Sequence, residues 1–313
     1  MDLFRSFLRV LRPVDAIIAL FLTALSATQL LAGAPGSEVL AFAVLNATII
    51  AGVRAVAAMR TRPQALQVAY DFYPVPTILV IFKEVHLLIQ SMGRPDMDAL
   101  LIAADRALLG VDPTVWIGRF ATPVVTEILQ LAYMSYYFLM LLVGIELYRR
   151  SEKGAFDLAI FAILYGFMLS YIGYVLLPAV GPRFTLHEFA ALNDELPGLW
   201  LSAPIRDVIN AGESIPKGAA NALALAQRDA FPSGHTQMTL ISIYYAWRHQ
   251  IRSRVAVSIV GALLIVSTVY MRYHYVVDLI GGTVFMLLTI WSAPRLMRAL
   301  DALAGRAESS ARP

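Results

Sequence analysis

Ile17-Ile18-Ala19-Leu20-Phe21-Leu22-Thr23-Ala24-Leu25-Ser26-Ala27-Thr28-Gln29-Leu30-Leu31-Ala32-Gly33-Ala34-Pro35-Gly36 is a run of twenty residues without a charged side chain. A helix needs about 20 mostly apolar residues to cross the hydrocarbon core of a bilayer. The run is therefore long enough to span and too long for the core of a signal peptide, and it is expected to stay in the mature protein. The rest of the chain agrees. Of its 313 residues 58% are hydrophobic and 15% charged, with a mean hydropathy of +0.66, whereas soluble domains carry about 25% charged residues. The net charge of +3 does not point to nucleic acid, because the basic residues fall in short clusters between apolar runs, the pattern that sets membrane topology. Cysteine is absent, which excludes disulfides, thiolate metal sites and cysteine nucleophiles together.

Working outward, further apolar runs extend from Val39 to Met59, Val68 to Ile89, Pro123 to Leu147, Leu158 to Val180, His235 to Trp247, Val255 to Met271 and Tyr275 to Ala293. The Val68 to Ile89 run is the weakest, interrupted by Asp71, Pro74, Pro76, Lys83, Glu84 and His86. Pro95 to Phe120 mixes Asp98, Asp105, Arg106 and Arg119 with aliphatics and reads as an amphipathic interfacial helix. The count is about eight spans, with six as a floor. With eight alternating spans, Arg5, Arg9, Arg12, Arg60, Arg62, Arg149, Arg150, Lys153, Arg248, Arg252, Arg254, Arg295, Arg298, Arg306 and Arg312 share one side, fifteen of the twenty-five basic residues. That places both termini in the cytoplasm. The connections Ala34 to Glu38, Gln90 to Thr122, Gly181 to Ala230 and Arg272 to His274 then face outward. The tail after Ala302 is expected to fray.

Three pieces of chemistry meet at the outer face: Gly181-Pro182-Arg183, Pro232-Ser233-Gly234-His235, and His274-Tyr275-Val276-Val277-Asp278. They share a membrane depth although Arg183 to His235 is 52 residues and His235 to His274 is 39. A spacing of four puts His274 and Asp278 on one helix face, so the carboxylate can hold one ring nitrogen protonated and leave the other as a nucleophile. The same pair also reads as an interfacial histidine beside a helix-start aspartate that the dipole stabilises. In Pro232-Ser233-Gly234-His235 the free N-H groups of a helix start and the serine hydroxyl can hold an anion, and the histidine can act as an acid.

Pro232-Ser233-Gly234-His235 followed by a downstream His-x3-Asp resembles the type 2 phosphatidic acid phosphatase superfamily, whose signature is K-x6-R-P, P-S-G-H and S-R-x5-H-x3-D. Leu177 to Phe184 together with Tyr273 to Asp278 is similar to the branch containing inositol phosphorylceramide synthases and their bacterial relatives, inositolphosphotransferases. The resemblance covers roughly Pro123 to Ala293. It implies that His274 attacks phosphorus to form a phosphohistidine, that Asp278 orients it, and that His235 protonates the leaving oxygen and later activates the acceptor. Arg183, Ser233 and the Gly234 amide would bind the phosphate oxygens. The scheme requires no metal and no cofactor. Leu176 and Thr268 stand where the family has its first-motif lysine and third-motif arginine, and Phe184 rather than proline follows Arg183. Arg272, one helical turn after Thr268, is the nearest substitute cation, although it reads equally as an interfacial anchor. Lys83, Arg94, Arg206, Lys217 and Arg228 are other possible donors.

The expected fold is all-α, a polytopic membrane helical bundle of about six to eight spans with an outward-facing phosphate site. Residues 1–122 would hold the N-terminal membrane helices and the interfacial helix, 123–294 the catalytic helical core, and 295–313 a cytoplasmic tail. The implied activity is that of an inner (plasma) membrane enzyme that moves a phosphoryl group from a lipid phosphate donor to a lipid alcohol, or alternatively to water as a phosphatase acting on phosphatidic acid or polyprenyl (di)phosphate. A transporter would need repeated halves and charges near the midplane, and neither is present. A soluble vanadate-dependent oxidase is disfavoured by the hydropathy. Other polar residues take structural readings: His187 solvated, His249 in a cytoplasmic basic cluster, Lys83, Glu84 and His86 as an ion pair near a kink, and Tyr133, Tyr136 and Tyr137 as helix packing. The roughly fifty residues from Gly181 to Ala230, with Leu199, Trp200 and Leu201 at their centre, are long enough to cover the site and exclude water. The sequence carries no signal for oligomeric state.

Overall fold

The computed structural model describes residues 7–32, 36–150 and 152–306. Arg5, Arg312, residues 33–35 of the first outer connection and the tail beyond Arg306 lie outside them. Among the described residues every regular element is helical. In chain order the main helices are α1 (Pro13–Leu31), α2 (Gly36–Ala57), α3 (Gln64–Phe72), α4 (Pro74–Met92), α5 (Asp98–Leu109), α6 (Pro113–Gly118), α7 (Pro123–Met134), α8 (Tyr136–Arg149), α9 (Lys153–Leu176), α10 (Ser202–Gly212), α11 (Gly234–Arg248), α12 (Arg254–Tyr270) and α13 (Val276–Leu303). Five stretches are long and apolar enough to cross a membrane: α1, α2, Gln64–Met92 (α3 with α4), α9 and α13. The bent pair α7 and α8 makes a sixth. This multi-pass architecture sits at the floor of the expected range. The shortfall from eight falls on α11 and α12, which have the expected bounds but only 15 and 17 residues, about 22 and 25 Å at 1.5 Å per residue.

The chain forms two compact units. The first contains Met1–Gly93, Gly154–Met168 and Leu288–Pro313. Here α1 packs on α2 and α4. Several of its buried polar groups pair with one another, as an apolar solvent favours: Arg12 bridges Asp15 at 3.0 Å and Asp71 at 2.7 Å, and Asn46 donates to Glu84 at 2.9 Å. Glu84 thus reaches an amide on a neighbouring helix, a partner that the reading of an ion pair along one kinked helix missed. Arg306 donates to Asp301 at 2.8 Å and to the Leu8 carbonyl at 3.1 Å, so the chain is anchored past Ala302, where fraying was expected.

The second unit contains Arg94–Lys153 and Leu169–Leu287 and holds every residue of the candidate site. In it α12 packs on α11 and α7, and α11 packs on α8. The expected straight span Pro123 to Leu147 is broken: α7 and α8 meet at 48°. The break falls at Ser135, whose hydroxyl donates to the Ala132 carbonyl at 2.6 Å, a side chain intruding on the helical ladder. The expected interfacial segment is α5 and α6. Its outer face exposes Leu100, Leu108, Trp116 and Phe120, while Asp98 and Asp105, seven apart on one face, are buried. The stretch from Gly181 to Ala230 is not structureless. It contains α10 and one-turn helices at Pro182–Thr185, Leu192–Glu195 and Ala222–Leu225. Glu127 of α7 fixes its centre, accepting from the amides of Leu199 at 2.9 Å, Leu201 at 2.7 Å and Ser202 at 3.2 Å and from the Ser202 hydroxyl at 2.6 Å. Trp200, held at this clamp, is 80% exposed.

Candidate active site

The site is assembled at two helix starts and one helix end. Ser233 caps α11, its hydroxyl accepting the Thr236 amide at 3.2 Å, and donates its own amide to the Asp278 carbonyl at 2.9 Å. This ties the Pro232-Ser233-Gly234-His235 turn to the first turn of α13. Small residues permit the fit, as in membrane helix packing generally. A Cβ at Gly173 would meet Pro232 Cδ at 2.3 Å, one at Gly281 would meet the Phe231 ring at 2.7 Å, and one at Gly282 would meet the Ser233 carbonyl at 2.5 Å. Gly181 has φ +90° and lies so close to the Tyr273 carbonyl that a Cβ would be 2.5 Å away, so both the backbone angle and the contact require glycine.

Asp98 and Asp105 hold the pieces together from α5. Asp98 accepts from the amides of Val180 at 3.0 Å and Gly181 at 2.9 Å and from the Tyr275 hydroxyl at 2.8 Å. Asp105 accepts from Val276 at 2.9 Å and Val277 at 2.7 Å, satisfying the amides that open α13 and favouring its positive end. Burial pushes the Asp105 carboxyl up, against these two amides. Neither residue stood out as a site residue in the sequence, because their partners are backbone amides and a tyrosine hydroxyl 82 to 177 positions away.

His274 lies just before α13 and is buried. Its Nδ1 is 2.9 Å from the Ala230 carbonyl and 3.4 Å from Asp278 Oδ2. A carbonyl can only accept, so Nδ1 carries the proton and Nε2 the lone pair. That Nε2 faces His235 Nδ1 at 3.4 Å. Burial pushes the His274 imidazole down to about 4, against the opposing effect of Asp229, so at neutral pH it is uncharged. The Ala230 carbonyl, invisible to a reading of side chains, is its nearest orienting group. Asp278 is the second, and its Oδ2 also accepts the Tyr275 amide at 2.8 Å.

His235 is held between aromatic rings, with centroids at 4.5 Å from Tyr133 and 4.2 Å from Tyr136. Tyr133 also stacks on Tyr273 at 4.5 Å. Tyr133 and Tyr136 flank the break at Ser135, and the bend turns both rings onto the histidine. Their reading as helix packing therefore missed their place in the site. The Gly234 carbonyl accepts from the Tyr136 hydroxyl at 3.2 Å, and the amides of Gly234 and His235 open α11, where N-H groups have no intrahelical partner.

Arg183 is buried, with its guanidinium over Tyr273 at 4.7 Å and Phe184 at 5.0 Å. It pairs with Glu213 and reaches Asn210 Oδ1 at 3.3 Å. Burial works against its charge, and Glu213, Tyr273 and Tyr133 together outweigh it. Burial and Glu213 together push Asp229 up to about 6. The Arg272 backbone carbonyl accepts the Arg183 amide at 2.9 Å, but its guanidinium pairs with Glu195. His187 is not solvated: its side chain is 7% exposed and Nε2 lies 2.9 Å from Thr114 Oγ1. Burial and then Arg272 push it down to about 4. Of the other cations, Arg206 is buried on the Leu192 and Leu196 carbonyls at 3.3 and 3.2 Å, Arg94 binds the Val175 carbonyl at 2.9 Å, Arg228 pairs with Asp96 at 3.1 Å, and Lys217 is exposed. At the two positions where the cations are replaced, Leu176 is exposed and Thr268 is buried with its hydroxyl on the Ile265 carbonyl at 2.7 Å.

Arg272 has φ +67°. Its amide bonds the Val269 carbonyl at 3.0 Å and the Tyr273 amide bonds the Thr268 carbonyl at 3.0 Å, the paired closure that ends a helix with a left-handed residue, usually glycine. An arginine there costs about 1 kcal/mol. Among the described residues, no group of three or more His, Cys, Asp or Glu is arranged to hold a metal ion.

Residues 99–292 match the model of the PAP2 superfamily. A PA-phosphatase related-family protein of Dictyostelium discoideum is 28% identical over 249 residues, 68% of this chain and 43% of that protein. The chain thus spans less than half the length of that relative. No solved structure matches.

Proposed function

Because the chain belongs to the PAP2 superfamily, we propose that it is a multi-pass membrane enzyme that transfers a phosphoryl-bearing headgroup between lipids through a phosphohistidine on His274. The observation that carries this reading is the facing pair of imidazoles. His274 Nε2 is 3.4 Å from His235 Nδ1, while its other nitrogen is held 2.9 Å from the Ala230 carbonyl. In the first half-reaction His274 Nε2 attacks phosphorus, the bond to the leaving oxygen breaks, and His235 supplies that oxygen with a proton. In the second, the acceptor hydroxyl gives its proton to His235, its oxygen attacks phosphorus, and the P-N bond breaks. Both histidines end as they began. Arg183, Ser233, the Gly234 amide and Arg272 are the groups proposed to bind phosphate oxygens, and Asp278 to orient His274. The chemistry calls for no metal.

Charge supports a phosphodiester donor over a phosphomonoester. Arg183 and Arg272 already face Glu213 and Glu195, and Leu176 and Thr268 supply no further cation. A monoanionic diester suits this balance better than a dianion. The similarity of Leu177 to Phe184 and of Tyr273 to Asp278 to inositol phosphorylceramide synthases favours an inositol-bearing headgroup and a sphingolipid acceptor. Hydrolysis of a lipid phosphomonoester is the alternative, and the name of the Dictyostelium relative favours it. The enzyme is proposed to lie in the plasma (inner) membrane with both termini cytoplasmic and the site at the outer face, an orientation that the clustering of basic residues between the apolar runs supports. Within this scheme, residues 123–294 form the catalytic core.

The test places purified protein in liposomes with headgroup-phosphate-labelled phosphatidylinositol or phosphatidic acid, with and without ceramide or diacylglycerol. Label in a new phosphodiester lipid that requires the added alcohol is expected. Inorganic phosphate released without any acceptor would establish the hydrolytic alternative.

A further inference from the structure

An apolar groove of about 520 Å³ lies in the second unit, with walls from the ends of α5 and α6 and from α12 and α13. Every residue lining it is apolar, among them Leu109, Trp116, Ile117, Val266, Val269 and Val276. Three of these join it to the site. Ile117 adjoins Gly118, where a Cβ would lie 3.9 Å from Arg272 Nη2. The Val269 carbonyl accepts the Arg272 amide at 3.0 Å. Val276 is two residues past His274 and gives its amide to Asp105 at 2.9 Å. The groove is therefore continuous with the turn that carries both the left-handed arginine and the nucleophile.

We propose that this groove binds one hydrocarbon chain of the lipid donor and so selects donors by chain length. The inference rests on the phosphoryl-transfer reading and names the part of the substrate that these walls recognise. Two features choose the occupant. The walls carry no polar side chain to orient anything but a hydrocarbon, and a guanidinium stands beside one wall, where the anionic head of a lipid lying in the groove would meet it. The volume falls within the roughly 300 to 1,000 Å³ of small-molecule sites, which suits a single chain. Leu109, Trp116 and Val266 are between 45% and 49% exposed, so the groove opens sideways and a chain can enter from the bilayer without passing through water.

The test uses full-length protein in nanodiscs with two donors of one headgroup, a short-chain form soluble as a monomer and a long-chain form. Val266→Trp and, separately, Ile117→Trp fill the groove from opposite walls. Wild type is expected to prefer the long chain. Each variant is expected to lose at least about tenfold in kcat/KM on the long-chain donor while changing less than about twofold on the short one, which also shows that it folds. An unchanged chain-length preference in both variants would overturn the inference and leave the groove to bulk lipid. If wild type turns over neither donor and His274 takes no label, it is the phosphoryl-transfer reading that has failed.

Discussion

At the residue scale, Arg272 separates backbone cost from chemical use. A left-handed arginine in a helix-ending turn is disfavoured by about 1 kcal/mol relative to glycine, and its guanidinium is buried beside the site. Arg272→Gly is predicted to leave Tm unchanged or raised while activity falls at least about tenfold. A fully active glycine variant would remove Arg272 from the phosphate site. His274 makes a second prediction. Its imidazole is pushed down to about 4 by burial, and the neutral form is the proposed nucleophile. The acid limb of kcat/KM should therefore fall as pH drops through about 4, with no loss of this group's contribution near 6.5, the ordinary histidine value. An acid limb centred near 6.5 and abolished in no other variant would place His274 in an open, solvated setting. That His235, His274, Asp278 and Arg183 come together was legible in the sequence because short motifs carry them. Their settings were not. The sequence did not mark Glu213 and Glu195 as the carboxylates that face Arg183 and Arg272, because each sits at a helix end in the long connection with no motif of its own.

At the scale of elements, the site depends on carboxylates that gather backbone amides from distant segments. Asp105 takes two amides at the start of α13, and a lost helix cap costs about 0.5 to 2 kcal/mol. Asp105→Ala is predicted to lower Tm by a few degrees and kcat at least about tenfold with little change in the donor KM, since the nucleophile is misplaced and phosphate binding is not. A rise in KM alone would show that Asp105 acts on binding. The bounds of α11 and α12 and the start of α13 followed from hydropathy and helix-start chemistry, whereas α13 continues past the expected Ala293 to Leu303. The break at Ser135 did not, because a serine within an apolar run is ordinary until its hydroxyl takes a backbone carbonyl. The helix in the long outer connection was missed for a related reason. Glu127 of α7 fixes the start of α10 from 75 residues away, and no local pattern records that bond.

At the scale of the molecule, hydropathy alone disclosed an all-helical, multi-pass protein, and basic clusters suggested its orientation. The absence of cysteine makes orientation testable without background. Trp200→Cys is predicted to react with a membrane-impermeant maleimide in intact cells, and Arg298→Cys only after permeabilisation. Labelling of both from one side would refute the alternating topology. The central claim is covalent, so trapping the intermediate tests it most directly. Wild-type protein, rapidly quenched during turnover of a phosphate-labelled donor, should carry acid-labile, base-stable label on the peptide containing His274, and His274→Ala should carry none and be inactive. A fully active His274→Ala, or label on a different residue, would contradict the account.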